Sequence, residues 1–270
     1  MSPQELAISS FANPRVKAAA RLRDRGERDT RGMTIVDGVR ELGRALDAGI
    51  ELVEAFVCPA LVRTPEAGRL VEVLRTRAAP VVRVTEPIFA RLAFGERAEG
   101  IVGVVRVPPL GLERLALPAE PLIVVVEGIE KPGNLGAILR SADGAGVDAL
   151  IAADPRTDLF NPNTIRASLG TIFSVPLAGA TSDELVGWLR ERRIRTVVAR
   201  VDAARLHTDV SLTGPLAIVL GSEAEGLSDA WDAPDTVAVR LPMLGIADSL
   251  NVSVAAAVLL YEARRQRGPA

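Results

Sequence analysis

The stretch of sequence that decides the fold spans residues 122–141 and reads LIVVVEGIEKPGNLGAILRS. It begins with an uninterrupted apolar run at 122–126 and ends in a pattern whose apolar residues recur every three or four positions, as in a helix. A strand that is apolar at every position is typical of a parallel sheet with both faces covered. The stretch therefore predicts one strand–helix unit of an α/β protein, with a polar turn between its two elements.

Two later blocks also join a strand to a polar turn that contains glycine. Residues 216–220 predict a strand that leads into GSEAEG at 221–226. Residues 236–241 predict the last strand, and PMLG at 242–245 then leads to a final helix at 249–267. Ligands of open α/β sheets bind beyond the carboxyl ends of the strands, so we expect these turns to form a binding site.

The remaining sequence divides into two α/β halves. The N-terminal half has predicted strands at 33–36, 52–58, 81–84 and 101–107, helices at 39–48 and 65–77, and a first helix from Asn13 to about Arg25. Such alternation predicts a mainly parallel sheet. Two proline-containing segments, PPLG and PAEP, then bracket a short linker. We therefore predict a first domain at 1–108, a linker at 109–121 and a second domain at 122–270.

Composition limits the class of protein. An apolar fraction of 48% in 270 residues is sufficient for a packed core. The single cysteine, Cys58, excludes an intramolecular disulfide, and with one histidine in the chain we expect no metal site. The apolar runs are too short to cross a bilayer and the first residues lack a secretory pattern, so we expect a cytoplasmic protein.

The net charge of −2 hides a local basic segment at residues 15–31. It holds seven basic residues against three acidic ones: Arg15, Lys17, Arg21, Arg23, Arg25, Arg28 and Arg31, against Asp24, Glu27 and Asp29. Such a segment is suited to contact nucleic-acid phosphates, for which Arg21, Arg23 and Arg25 are the candidates. The same charges are equally compatible with a solvated helix face.

In order and content, the three blocks resemble the motifs of the SpoU (TrmH-like) family, the RNA ribose 2'-O-methyltransferases of the SPOUT superfamily. The resemblance implies S-adenosylmethionine as methyl donor, a homodimer, and a trefoil knot in the C-terminal domain, although chains rarely thread loops and no local pattern here indicates a knot. The string IVDGVREL at 35–42 resembles the family's substrate-binding domain, which has a ribosomal-protein-like α/β fold.

The resemblance implies catalytic roles for five residues, namely Arg140, Asn134, Glu223, Ser249 and Asn251. Arg140 would handle the 2'-hydroxyl and the adjacent phosphate. Arginine is a poor base, so we favour polarisation of the hydroxyl and phosphate binding by its planar guanidinium. The proton acceptor stays open between an RNA phosphate and an arginine perturbed by its site.

These residues also have plainer interpretations. Asn134, Ser249 and Asn251 stand where they would cap helices. Glu223 would fit a turn or an ion pair with an arginine, and Arg140 lies off the apolar stripe of its helix, as a solvated arginine would.

The methyl donor is implied to bind Gly221, Leu241 and Leu250, together with Met243 and Ser249. Glycine allows a backbone to approach a ligand closely, although it is also common in ordinary turns. A dinucleotide is the rival ligand, but no G-x-G-x-x-G follows a strand, which also argues against a nucleotide-binding oxidoreductase.

RNA is the expected partner. Arg166 resembles a second family arginine that contacts RNA, in addition to the basic segment. By family frequency we expect ribosomal RNA of the large subunit first and transfer RNA second. A non-catalytic RNA-binding module of the same fold is the alternative, and the presence of Asn134, Arg140 and Glu223 counts against it. Titration with S-adenosylmethionine distinguishes the two.

Overall fold

The computed structural model describes residues 6–94 and 99–268. The chain forms two compact units, one of Met1–Pro108 with Phe160–Ser174, the other of Pro109–Leu159 with Val175–Ala270. We call them the first and the second unit. The segment Phe160–Ser174 thus belongs with the N-terminal residues, although it lies inside the stretch 122–270, and residues 109–121 belong to the second unit.

Strands and helices alternate through most of the described chain. The strands are β1 (Leu6–Ile8), β2 (Met33–Asp37), β3 (Leu52–Val57), β4 (Val81–Val84), β5 (Ile101–Arg106), β6 (Leu122–Glu127), β7 (Ala149–Ala153), β8 (Leu177–Ala180), β9 (Arg195–Ala199), β10 (Arg205–Leu206), β11 (Leu216–Leu220) and β12 (Thr236–Arg240). The helices are α1 (Pro14–Arg21), α2 (Arg25–Arg31), α3 (Val39–Asp47), α4 (Pro65–Arg75), α5 (Glu86–Leu92), α6 (Pro132–Ala145), α7 (Pro162–Ala167), α8 (Ser182–Glu191) and α9 (Val252–Arg267).

The first unit contains a five-stranded sheet in the order β1-β4-β3-β5-β2. The β1–β4 and β3–β4 pairs are parallel, whereas β5 runs antiparallel to both β2 and β3. The sheet is therefore mixed, and the prediction of a mainly parallel sheet for this half was wrong. An alternating sequence pattern places strands and helices but does not fix the direction in which a strand returns.

Helices cover both faces of this sheet. On one face α1 and α5 pack together, and Val16, Ile88 and Phe89 join the apolar core with Val102 and other strand residues. On the other face α3 packs against α4, and a Cβ added at Gly103 would collide with the side chain of Leu42 in α3. Glycine thus allows α3 to lie close to β5.

The first helix is shorter than predicted. Asn13 caps α1 by accepting a hydrogen bond from the Arg15 amide at 2.9 Å, as the sequence suggests. The helix ends at Arg21, however, and Asp24 caps a second helix, α2, by accepting from the Glu27 amide at 3.2 Å. The predicted helix therefore ends about four residues too late, and α2, which begins after the Asp24 cap, was not predicted.

The second unit contains a seven-stranded sheet in the order β10-β12-β9-β11-β6-β7-β8, and every neighbouring pair is parallel. Every residue of β6, β7 and β11 is buried. This confirms the parallel α/β fold predicted from the fully apolar runs. The C-terminal trefoil knot stays a prediction.

Three loops lie together at the carboxyl ends of the strands of the second sheet. From β6 the chain continues through β7 to β8 on one side, whereas β11 lies beside β6 on the other side. The strand order therefore reverses between β6 and β11. Beyond the carboxyl ends of β6, β11 and β12 lie residues 128–131, 221–226 and 241–251. Such a reversal is where ligands bind in open α/β sheets. Among the helices in the described ranges, none has the length and apolar character needed to span a membrane.

Candidate active site

Hydrogen bonds join three of the five predicted catalytic residues. The Asn251 side-chain amide donates from Nδ2 to Glu223 Oε1 at 2.5 Å and approaches Asn134 Oδ1 at 3.3 Å. The Lys131 ammonium donates to the other Glu223 oxygen at 2.5 Å. The loops after β6 and β11 and the start of α9 thus meet around one carboxylate. We call Lys131, Asn134, Glu223 and Asn251 the Glu223 network.

The capping interpretation holds for one of the three residues to which it was applied. Asn251 caps α9, because its Oδ1 accepts from the Ser253 amide at 3.0 Å. Ser249 lies in the loop before α9, which begins at Val252 and not at 249 as predicted. Asn134 is not a cap either, because α6 begins at Pro132 and Asn134 lies in its first turn.

Electrostatics keep Glu223 ionised at neutral pH. The hydrogen bond and charge of Lys131 lower the pKa of the Glu223 carboxyl, and the backbone at Val252, where α9 begins, adds to the effect. The sequence suggested an arginine partner, and the partner is a lysine 92 positions away along the chain. No local sequence pattern predicts such a pair, although Lys131 lies three residues before Asn134 in the same motif.

Arg140 lies on α6 apart from the Glu223 network. It is six residues beyond Asn134, which corresponds to about 9 Å along a helix. Its side chain is exposed, and in the described part of the chain it makes no hydrogen bond or ion pair. All its guanidinium donors are therefore free to bind an incoming anion or hydroxyl.

A cavity of about 520 Å³ lies between the loops that follow β11 and β12. Its lining contains every residue predicted to bind the donor: Gly221, Leu241, Met243, Ser249 and Leu250. Glu223 also lines this cavity, so the cavity lies next to the Glu223 network. The volume lies within the range of small-molecule sites.

Gly221 permits a tight turn in the cavity wall. Residues 222 and 226 exchange backbone hydrogen bonds of 3.0 and 3.1 Å. A Cβ built on Gly221 would lie 2.2 Å from the carbonyl carbon and oxygen of Gly226. The close approach that requires glycine is therefore to the chain's own backbone, in agreement with the turn interpretation of Gly221.

The cavity is lined by more negative than positive charge. Asp202, Glu223, Glu225 and Asp248 line it, against one cation, Arg200, which is paired with Asp232 at 2.6 Å. Across residues 6–94 and 99–268, neither Asp202 nor Asp248 has a hydrogen-bond or ion-pair partner. Such a lining suits a ligand that carries positive charge, such as a sulfonium with an ammonium group. Neither aspartate was predicted to belong to the site, because no motif or spacing in the sequence connects Asp202 with Asp248.

Glu127, at the end of β6, is a buried carboxylate whose structural role was not predicted from the sequence. Burial raises the pKa of its carboxyl, but hydrogen bonds from Ser182, Ser228 and Trp231 outweigh burial and leave the pKa below its usual value. The Ser228 amide and the Trp231 indole donate to it at 2.8 and 3.0 Å. Glu127 thus fixes the chain that follows the turn at 222–226.

The arginines predicted to contact RNA have different surroundings. Arg21 is exposed, whereas the Arg23 guanidinium stacks 4.4 Å from the centre of the Phe94 ring. The Arg25 Nε lies 3.5 Å from Asp29 Oδ2, one turn further along α2. The three therefore do not form one uniform basic face.

Arg166 lies in the first unit and is held by Asp37. Its Nη1 donates to Asp37 Oδ2 at 2.9 Å and to the Phe94 carbonyl. The Phe94 amide also donates to Asp37 Oδ2, at 2.6 Å. The side chain of Arg166 remains partly exposed, so RNA contact stays a prediction for it.

The ionisation of Asp37 makes the stability of the first unit depend on pH. Burial raises the pKa of this carboxyl from 3.8 to about 6, although the Phe94 amide and Arg166 oppose the shift. The folded state therefore holds the proton more tightly than the unfolded chain. The contribution of Asp37 to stability is therefore largest below pH 3.8 and is lost as the pH rises through about 6.

Comparison with Asp37→Asn isolates this contribution. Two pKa units correspond to about 3 kcal/mol, so the wild type should lose about that much relative to the variant between about pH 3 and about pH 7. Urea unfolding followed by circular dichroism at a series of pH values measures the difference. A difference that does not vary with pH would contradict the assignment.

Comparisons with known proteins match both parts of the chain. The model of the SpoU rRNA Methylase family matches residues 121–261, and the model of the MRM3-like substrate binding domain matches residues 13–103. The first match includes the Glu223 network, Arg140 and the residues of the cavity named above.

Similar proteins extend over nearly the whole chain. The 23S rRNA (uridine(2479)-2'-O)-methyltransferase of Streptomyces viridochromogenes is 32% identical, covering 92% of this chain and 88% of that protein. A solved RNA 2'-O ribose methyltransferase is 41% identical with a TM-score of 0.84, covering 97% of this chain and 99% of the other. The SpoU methyltransferase AviRb from Streptomyces viridochromogenes, in complex with the cofactor AdoMet, is 31% identical with a TM-score of 0.85, covering 94% and 98%.

Proposed function

Because the chain belongs to the SpoU rRNA methylase family, we propose that it transfers a methyl group from S-adenosylmethionine to a ribose 2'-hydroxyl of ribosomal RNA. The observation that carries the proposal is that Glu223, the centre of the Glu223 network, lines the cavity beyond β11 and β12. The 23S rRNA specificity of the Streptomyces viridochromogenes relative favours large-subunit RNA over transfer RNA.

The cavity suits the donor in shape and charge. Gly221, Leu241 and Leu250 offer backbone groups and apolar surface to the adenosine and methionine parts. Asp202 and Asp248 attract the positive charge of the donor. When bound, S-adenosylmethionine supplies an electrophilic methyl group on its sulfonium centre.

Arg140 acts on the RNA and not on the donor. Its exposed guanidinium binds the phosphate next to the target ribose and donates a hydrogen bond to the 2'-oxygen. That hydrogen bond stabilises negative charge on the oxygen as its proton leaves. Asn134 and Asn251 act as positioning residues, because they hold Glu223 and the first turns of α6 and α9 together.

A homodimer is part of the proposal. One face of α9 is buried against the second unit, but Val254, Val258 and Tyr261 are exposed at helical spacing on another. Leu244 and Ile246, in the loop before α9, are almost fully exposed as well. A second copy of the chain would cover these side chains and bring additional groups to Arg140.

A charge in this face tests the dimer. Val258→Asp should shift the protein from dimer to monomer and lower methyl transfer, because burying an unpaired carboxylate is costly. Sedimentation velocity and methyl transfer are measured on the same samples. Val73→Asp is the matched control, because Val73 is exposed to a similar extent on α4 of the first unit. An unchanged dimer in the Val258 variant, or a monomeric wild type, would contradict this part of the proposal.

The chemical product tests the function itself. A 2'-O-methyl group removes the nucleophile that cleaves the next phosphodiester in alkali. Unmodified large-subunit ribosomal RNA treated with the protein and S-adenosylmethionine should show one protected position in an alkaline ladder. Methyl groups found on a base by mass spectrometry, with no protected position, would refute ribose methylation.

A further inference from the structure

The basic segment at residues 15–31 leaves only part of its charge available to a ligand. Four of its arginines have partners within the chain: Arg15 pairs with Glu54, Arg25 with Asp29 and Arg31 with Glu27, and Arg28 is buried against backbone carbonyls. Lys17 and Arg21 are exposed on α1 and, among the residues described, have no hydrogen-bond or ion-pair partner. They are four residues apart and so share one face of the helix.

A second source of positive charge lies on α5, seventy residues further along the chain. The exposed Arg91 lies with its guanidinium carbon 5.6 Å from the centre of the Phe11 ring. Phe11 precedes α1 and leaves 43% of its surface exposed. In the ranges that the structure describes, no carboxylate pairs with Arg91.

Arg23 and Arg91 border the same depression. A cavity of about 330 Å³ between α1 and α5 is lined by Ala20, Arg23, Ala90 and Arg91. The two alanines have short side chains and leave space between the arginines. Arg23 stacks on Phe94 and Arg91 on Phe11. A stacked guanidinium is held in place while its N–H edge stays exposed. One N–H group of Arg23 donates to the Ala93 carbonyl, and its remaining N–H groups are available to an anion.

We propose that the cleft between α1 and α5 binds one nucleotide of single-stranded RNA. Arg91 and Arg23 bind its phosphate, and the exposed face of the Phe11 ring stacks against its base. Lys17 and Arg21 bind the phosphates that follow along the strand. Recognition of a stacked base requires an unpaired nucleotide, so the cleft selects single-stranded RNA over a duplex.

The site extends the proposed function, because it assumes that the protein acts on RNA. It uses only residues of the first unit, whereas the donor cavity and Arg140 belong to the second unit. The two assignments can therefore fail separately.

Binding of a fluorescently labelled single-stranded oligoadenylate to the full chain tests the cleft. Phe11→Ala should weaken binding about tenfold through loss of stacking, whereas Phe11→Tyr should bind like the wild type. Arg91→Gln should lower the slope of log affinity against log salt by about 0.7, the value for one phosphate on a single strand. Affinity for S-adenosylmethionine should not change in any of these variants.

Two further measurements separate this cleft from general attraction to positive charge. Arg77→Gln removes an exposed arginine that follows α4, on the opposite side of the sheet, and should leave oligoadenylate binding almost unchanged. Phe11→Trp should bind RNA with quenching of the new indole fluorescence. Wild-type affinity and salt slope in both Phe11→Ala and Arg91→Gln would overturn the cleft. A protected ribose in the alkaline ladder would in that case still support the methyltransferase function.

Discussion

Replacement of Arg140 by alanine is expected to lower methyl transfer by about 100- to 1,000-fold, the range measured when one donor to a developing oxyanion is removed. The exposed guanidinium has no partner in the described part of the protein, so its loss should not unfold α6. Arg140 is also absent from the lining of the donor cavity. Affinity for S-adenosylmethionine should therefore stay within a few-fold of wild type.

Single-turnover methylation and calorimetric titration of the donor, on the same preparations, separate the two effects. Arg140→Lys keeps the charge but loses the planar fork, so it should recover only part of the rate. Arg114→Ala, at an exposed arginine elsewhere in the second unit, is the matched control and should act like the wild type. Turnover close to wild type in Arg140→Ala would remove Arg140 from the mechanism.

The sequence predicted the second unit well because burial on both faces leaves a simple signature. Runs such as 122–126 and 216–220 contain no polar residue, and both are buried strands of a parallel sheet. The turns after these strands lie at the carboxyl edge for the same reason, since all strands of this sheet run in one direction. The residues predicted to bind the donor therefore line one cavity.

Some errors in the predicted helix boundaries arose because capping and proline signals in the sequence were misinterpreted. Asn134 was interpreted as a cap, yet Pro132 already has the fixed backbone angle favoured at the first position of a helix. Likewise, Asp24 caps the start of α2, a helix that was not predicted, at the point where the first helix was still expected to continue. In both cases a capping or proline rule, applied strictly, gives the observed boundary.

Other features could not be predicted from local patterns, because they depend on partners far apart in the chain. Lys131 meets Glu223 over 92 positions, and Asp37 meets Arg166 over 129. Arg91, on α5, stacks on Phe11, which precedes α1. Periodicity reports which face of an element is buried, but not which charged groups meet after the chain has folded.

Replacement of Gly221 by alanine should also lower donor binding and methyl transfer strongly, because even a methyl side chain cannot be accommodated at this position. In Gly221→Ala the new Cβ would lie 2.2 Å from the Gly226 carbonyl, where ordinary contacts begin at 3.4 Å. The obstacle is backbone, so residues 222–226 must shift by about 1 Å. A displacement of that size at an active site costs about 100-fold. We expect donor affinity to fall by at least tenfold, and methyl transfer to fall further because Glu223 moves away from Lys131 and Asn251.

Gly245→Ala is the matched control, because a Cβ at Gly245 would meet no atom within 4 Å. It changes a glycine in the neighbouring loop of the same site and should leave donor affinity unchanged. Calorimetry with S-adenosylmethionine measures both variants, and circular dichroism verifies that each is folded. Equal donor affinity in a folded Gly221→Ala variant would mean that the turn at 222–226 does not shape the donor site. Equal loss in both variants would mean that the loop backbone as a whole, and not the Gly221 turn, determines binding.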